Sequence, residues 1–451
     1  MSGGPASPER SGPGSSPAPR EPVEARLARA GLPPLPRTAW LELDLDALRS
    51  NLAVLREEVG AEVRVEPVVK ADAYGHGAVP IALALEAAGA DGLSVASLDE
   101  AVELREAGVA LPILVLYPIP PEQAEAAAWA HLAVAAGSGV TLNRLLAAAS
   151  AAAAAGAPDL VVHLEVETGL GRGGVLPDDV AAAARVIAAA SGVRLGGAWT
   201  HLAAADDEAT ALAQDQRFAG ALGALEGAGI ATDGERHLAG SGGVLGGRVA
   251  RWDAVRPGLA TYGLVPDALT PPPELAAAGA ALRPVLALYA RPVRVADLPA
   301  GHGVSYGPTF VTARPSLIAT LPLGYGDGWR RPWSDRTEAL VRGVRVPLVG
   351  RAAMDAVMAD VTDVPGDPVT EADEFVLIGA QGDERITAFD LAATGGTISY
   401  EVVTGMSRRL PRVYHAAGSP VEIRYLAGGR SEWHASSSGT GISATSRSMP
   451  S

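Results

Sequence analysis

Two hydrophobic textures alternate along most of this chain. Residues 40–55, WLELDLDALRSNLAVL, first alternate apolar and acidic side chains, the period of a half-buried strand. They then place apolar residues three and four apart, the period of a helix. Short apolar, β-branched-rich runs follow at 63–69, 92–96, 112–116, 132–135, 160–166, 195–199, 237–239 and 252–255. Alanine-rich segments at 78–88, 121–130, 141–155, 179–190 and 207–227 read as helices between them. Ser97 stands three residues before Glu100, a capping box, and Gly108 closes that helix.

Eight strands alternating with helices predict an α/β fold with an N-terminal (β/α)8 TIM-type barrel. Near-continuous apolar runs suit parallel strands buried on both faces. The count of eight favours the barrel over an open doubly wound sheet. Past about residue 282, Val, Leu and Ile runs recur at 285–295, 316–322, 338–349, 357–362 and 374–378 without long helical stretches. This predicts a C-terminal, mainly β domain. The expected organisation is a disordered extension over 1–36, a barrel over 37–282, a β domain over 283–427 and a disordered tail over 428–451.

Composition narrows the classes. The net charge of -15 argues against nucleic acid and anionic membranes as partners. Cysteine is absent, which removes disulfides and thiolate chemistry. The start, MSGGPASPERSGPGSSPAPREP, lacks the apolar core of a signal peptide, and the longest apolar run, 145–157, is too short to span a bilayer. Of 36 basic Lys and Arg side chains, only Lys70 is lysine. Arginine replaces lysine as a charge but not as a nucleophile, because a guanidinium keeps its proton.

In a barrel, chemistry sits at the C-terminal strand ends. Lys70 ends the first run, Arg172 follows the fifth, His201 ends the sixth, Ser241 ends the seventh, and Arg256 and Gly258 follow the eighth. Gly-rich turns after strands seven and eight suit a phosphate, with Ser241 adding a hydroxyl. A reactive lysine beside a phosphate site suggests pyridoxal phosphate.

The strings VVKADAYGHG (68–77), VETGLGRGG (166–174), THLAAAD (200–206), VRPGLATYG (255–263), GVSYG (303–307), LPLGYGDG (321–328), VPLVGRAAMD (346–355) and TISYEVVTGMSRRLPRVY (397–414) together resemble the alanine racemase family. The resemblance runs in order from about Ala39 to Leu426. It implies a cytoplasmic, pyridoxal 5′-phosphate-dependent isomerase that interconverts L- and D-alanine for peptidoglycan. It also implies a head-to-tail homodimer with shared sites, no metal, and a first strand that joins the β domain. Lys70 would hold the cofactor and act as base on one face of the substrate, with Tyr306 of the other subunit as base on the opposite face. Tyr74, Ser241, Tyr400 and the backbone of Gly258 and Leu259 would hold the phosphate. Arg172 would contact the ring hydroxyl and the substrate, Arg256 would face the pyridine nitrogen, and His201 would pack against the ring. Tyr325 would narrow the entrance to the substrate site, and Met354, through its backbone, and Asp355 would line that site from the partner.

Three positions depart from the family's usual pattern. Glu165 stands where a lysine, often carbamylated, is common; it offers Arg172 a carboxylate directly. Gly240 replaces a common asparagine, and Gly326 a usual alanine. Neighbouring readings are a racemase of broader or different amino-acid specificity, a decarboxylase of the same fold, and a non-catalytic cofactor carrier. The last lacks a β domain in its family.

Overall fold

The computed structural model describes residues 20–427, apart from residue 138 and residues 231–234. Expectations for 1–19 and 428–451 lie outside the described residues. The first strand, β1 (Ala39–Asp44), leads into the helix Leu45–Val59. Asp44 caps that helix by accepting from the Asp46 and Ala47 amides, and Gly60 ends it at φ 87°. Its buried stripe is Leu45, Leu48, Leu52, Leu55 and Val59, the three-and-four spacing seen in the sequence.

Eight parallel strands follow: β2 (Arg64–Val65), β3 (Leu93–Val95), β4 (Ile113–Val115), β5 (Ala133–Ala136), β6 (Leu160–Glu165), β7 (Val193–Trp199), β8 (Glu235–Gly240) and β9 (Ala254–Arg256). Their order is β2-β9-β8-β7-β6-β5-β4-β3. Past the end of β2, Val68 pairs in parallel with Ser94. Ser94 N donates to Pro67 O at 3.0 Å and Val69 N to Ser94 O at 2.8 Å, so the sheet closes into a barrel. β3 and β4 are buried at every position, which is why their sequences do not alternate. The helix Leu98–Glu106 carries the full Ser97–Glu100 capping box.

The β domain adds β10 (Leu286–Ala290), β11 (Arg294–Leu298), β12 (Gly303–Val304), β13 (Phe310–Val311), β14 (Ser316–Leu321), β15 (Glu338–Val341), β16 (Val344–Val349), β17 (Val357–Asp360), β18 (Phe375–Gln381), β19 (Glu384–Ile386), β20 (Arg412–Ala416) and β21 (Ser419–Arg424). β1 lies between β10, antiparallel, and β20, parallel. The chain therefore enters through its second domain before it builds its first. Arg342 and Gly343, at φ 51° and 76°, form the tight turn of the β15–β16 hairpin. The short helices Ala388–Gly395 and Ser399–Thr404 interrupt the strands.

Disorder across 1–36 is corrected for its described part. Val23–Arg29 is a helix, with Val23 and Leu27 buried in the main core. Its Arg26 pairs with the buried Glu42 of β1 at 2.7 Å. The proline-rich flanks masked this short amphipathic helix, which is anchored by two apolar side chains and one buried charge pair.

Candidate active site

Lys70 opens a five-residue turn of unusual hand. Ala71, Asp72, Ala73 and Tyr74 have φ of 53°, 56°, 52° and 54°, a left-handed helical turn made without glycine. Such geometry costs about 1–2 kcal/mol per residue, so other contacts must hold it. Glu100 Oε1 accepts from Ala71 N at 2.7 Å, and Asp72 Oδ1 accepts from Ala78 N at 2.9 Å. His76 Nδ1 donates to the Tyr74 carbonyl at 2.9 Å. The β domain supplies the rest. Arg412 donates to Gly75 O at 2.9 Å, and Tyr414 OH donates to His76 O at 2.9 Å. A Cβ on Gly75 would lie 2.2 Å from Val403 O, and one on Gly77 2.0 Å from Tyr414 OH. Only glycine admits that approach.

The turn borders a cavity of about 270 Å³ at the barrel mouth. Lys70, Tyr74, Arg172, His201, Ser241, Arg256, Gly258, Leu259 and Tyr400 all line it. Nine residues from five barrel strand ends and the β domain thus meet as the sequence suggested. Ser241 Oγ accepts from Gly258 N at 2.9 Å and Ala260 N at 3.1 Å, which ties the two Gly-rich turns together. A Cβ on Gly258 would lie 2.4 Å from Tyr74 OH, so glycine keeps this cradle open. At Gly240 a Cβ would meet only ordinary contacts, 3.5 Å from Arg256 O.

Burial and neighbouring cations set the charges. Desolvation, reinforced by Arg172 and Arg256, lowers the Lys70 pKa and favours the free amine. Desolvation and Arg256 push His201 down to about 3, so its imidazole is neutral at working pH. Burial lowers Arg256 to about 10, which leaves it protonated near neutrality. Burial, with Asp267 beside it, pushes Tyr400 up to about 12. Arg172 lies 3.6 Å from Glu165, a buried carboxylate at the end of β6. Desolvation raises Glu165 more than Arg172 lowers it.

Arg256 leads to a polar chain inside the barrel. It donates to His237 Nδ1 and, at 2.8 Å, to Thr200 O. A guanidinium only donates, so His237 carries its proton on Nε2 and passes it toward His163 Nδ1 at 3.0 Å. His163, Glu235 and His237 are close enough to suggest a metal cluster. Their imidazole lone pairs are already taken by Arg256 and by each other, so the donor set does not suit one.

The remaining candidates stand apart in this single chain. Tyr306, Tyr325 and Met354 are exposed at 75%, 45% and 52%, and none lines the Lys70 cavity. They share neighbouring loops of the β domain. Gly326 N donates to Met354 O at 2.9 Å, Ser305 Oγ donates to Arg351 O at 2.6 Å, and Asp355 pairs with Arg409 at 2.5 Å. Sequence reading missed Tyr117, Glu100 and His237. A histidine inside each of two apolar strands was the available signal for His163 and His237; Glu100 was seen as a cap only.

A closed parallel barrel joined to a β domain, with a half-buried amine in one cavity with a hydroxyl-and-glycine cradle, defines the barrel-plus-β class of the fold. Family models agree at the level of sequence: "Alanine racemase, N-terminal domain" matches residues 43–266, and "Alanine racemase, C-terminal domain" matches 285–414. An alanine racemase of Symbiobacterium thermophilum is 44% identical over 380 residues, covering 84% of this chain and 97% of that protein. One of Desulfovibrio desulfuricans is 41% identical, with 84% and 98% covered. The solved alanine racemase of Bacillus anthracis with bound L-Ala-P superposes with TM-score 0.79 at 34% identity, covering 87% of this chain and 99% of that one. The chain belongs to the alanine racemase family.

Proposed function

We propose that this chain is a pyridoxal 5′-phosphate-dependent racemase that interconverts L- and D-alanine and supplies D-alanine for peptidoglycan. The observation that carries the reading is the placement of the only lysine in the chain inside the cavity that also holds Ser241, Gly258, Arg256 and Tyr400. Residues present fit the cofactor: a depressed amine for its aldehyde, and a serine with glycine backbone for its phosphate. When bound, the cofactor stabilises negative charge on the substrate Cα after proton loss.

This chain's residues then divide the work. Ser241, Tyr74, Tyr400 and the Gly258–Leu259 backbone hold phosphate. Arg256, protonated near neutrality, would face the ring nitrogen and so favour return of a proton to Cα over other carbons. His201 packs as a neutral ring. Arg172, about a third exposed at its side chain, is the guanidinium open to a ring oxygen or a substrate carboxylate. Lys70 takes or returns the Cα proton on one face. Tyr306 serves the other face from a second subunit in a head-to-tail homodimer, where Tyr325, Met354 and Asp355 complete the substrate site. Their exposure on one group of loops supports that arrangement. No helix among the described residues is long and apolar enough to cross a membrane, in keeping with work in the cytoplasm.

The test is borohydride reduction of the holoenzyme, peptide mass mapping and an alanine racemisation assay on one sample. The adduct is expected on Lys70, and Tyr306→Phe should keep cofactor while losing turnover. A colourless protein without cofactor, or full turnover in Tyr306→Phe, overturns the reading.

A further inference from the structure

Three basic side chains crowd one small cavity. Lys70, Arg172 and Arg256 all line it, and their mutual repulsion is felt at Lys70 and Arg256. Arg256 is locked by His237 and Thr200. Lys70 is fixed by the strained turn. Arg172 is the long, partly exposed member, on a Gly-rich loop with Gly171 and Gly174 at φ 69° and 99°. Repulsion from the protonated Arg256 favours its excursion into solvent.

Two groups oppose that excursion. Glu165 sits on one side at 3.6 Å, where burial raises its pKa and Arg172 opposes that rise. The ring of Tyr117 presents its face to Arg172, with the guanidinium carbon 5.4 Å from the ring centroid. That lies within the range of a cation–π contact. Tyr117 is itself 42% exposed, so a packing role in the core does not explain it. Its backbone is stiff. Leu116 N bonds to Val95 O at 2.8 Å, Ile119 is buried, and Pro118, Pro120 and Pro121 restrict the following loop.

We infer that Tyr117 is a positioning residue that holds the Arg172 guanidinium over the cavity for an incoming carboxylate. The inference rests on the racemase reading above for the identity of that carboxylate. Tyr117 touches no reacting atom in this role; it acts through Arg172. The phenol oxygen has no part in it, so only the aromatic face matters.

The experiment compares Tyr117→Phe and Tyr117→Leu as holoenzymes. Phenylalanine keeps the ring face and is expected to leave KM for L-alanine within about twofold of wild type. Leucine keeps bulk without a π face and is expected to raise KM about three- to tenfold, with kcat within about twofold, the size of a partly exposed cation–π contact. Thermal stability of both variants should match wild type, which separates positioning from folding. Acetate binding to the same holoenzymes, followed by calorimetry, provides a second arm that needs no turnover. It should weaken in the leucine variant only. Equal KM and equal acetate affinity in leucine and wild type overturn the inference, as does equal impairment by phenylalanine and leucine. If the wild type turns over no alanine, the racemase reading fails while the acetate arm still decides Tyr117.

Discussion

Replacing Glu165 by glutamine removes one charge and almost no volume. At 3.6 Å and an effective dielectric near 20, its attraction to Arg172 is about 4–5 kcal/mol before solvent is counted. Arg172 is 35% exposed at its side chain, so screening and side-chain entropy reduce the net value to about 1 kcal/mol. Glu165→Gln should therefore raise KM for alanine roughly fivefold. Stability should move the other way. The folded pKa of Glu165 is raised, so the native state holds this proton more tightly than the unfolded chain does. That contribution is present below the unfolded carboxylate range and is lost as pH rises through the folded value. Glutamine has no charge to desolvate, so melting at about pH 8 should not fall and should gain most relative to about pH 5. Steady-state racemisation and thermal unfolding at both pH values check this. An unchanged KM, or a melting temperature that falls with it, refutes the idea that Glu165 serves Arg172 at the expense of the fold.

Five other outcomes follow from the same physics. Arg26→Ala leaves the buried Glu42 short of a partner and should cost about 3 kcal/mol in denaturant unfolding, with kinetics unchanged; Arg20, Trp40 and His415 still reach that carboxylate and limit the loss. Ala71→Gly relieves one left-handed residue and should gain up to about 1 kcal/mol, whereas Gly75→Ala, facing Val403 O, should release cofactor on dialysis. Burial and Glu235 raise the pKa of Glu66, so Glu66→Gln should stabilise the fold more at alkaline than at acid pH; an equal shift at both contradicts the pairing. Because His201 is neutral near pH 7, an acidic limb of kcat/KM in the neutral range should survive His201→Asn, measured over a full pH profile.

The barrel was legible because its strands are short apolar runs and its helices are alanine-rich, so period and count both spoke. Lys70, Arg172, His201, Ser241 and Arg256 were legible because barrels place strand ends at one mouth. The hand of the Lys70 turn was not legible. Ala-Asp-Ala-Tyr carries no left-handed signal, and its geometry is imposed by Glu100, Arg412 and Tyr414. The docked helix Val23–Arg29 was hidden by proline-rich neighbours and by its brevity, with only Val23 and Leu27 as apolar anchors beside the Arg26 charge pair. Tyr117 was invisible because a tyrosine in a proline-rich loop looks like ordinary surface until Arg172 is seen across from it.

The left-handed turn also bears on the order in which the protein is made. Its bond to Arg412 joins residues 337 positions apart, and its bond to Tyr414 spans 338. Local sequence disfavours the turn, and closing so long a loop is entropically slow. The clamp comes from strand β20, near the end of the described chain and late to emerge from a ribosome. A barrel can thus be complete in its strands and helices while Lys70 still lacks its native pose. Under the proposed function, capture of the cofactor would then report that β20 has docked, because a product lacking that strand would keep the barrel side chains but lose the clamp that sets the Lys70 turn.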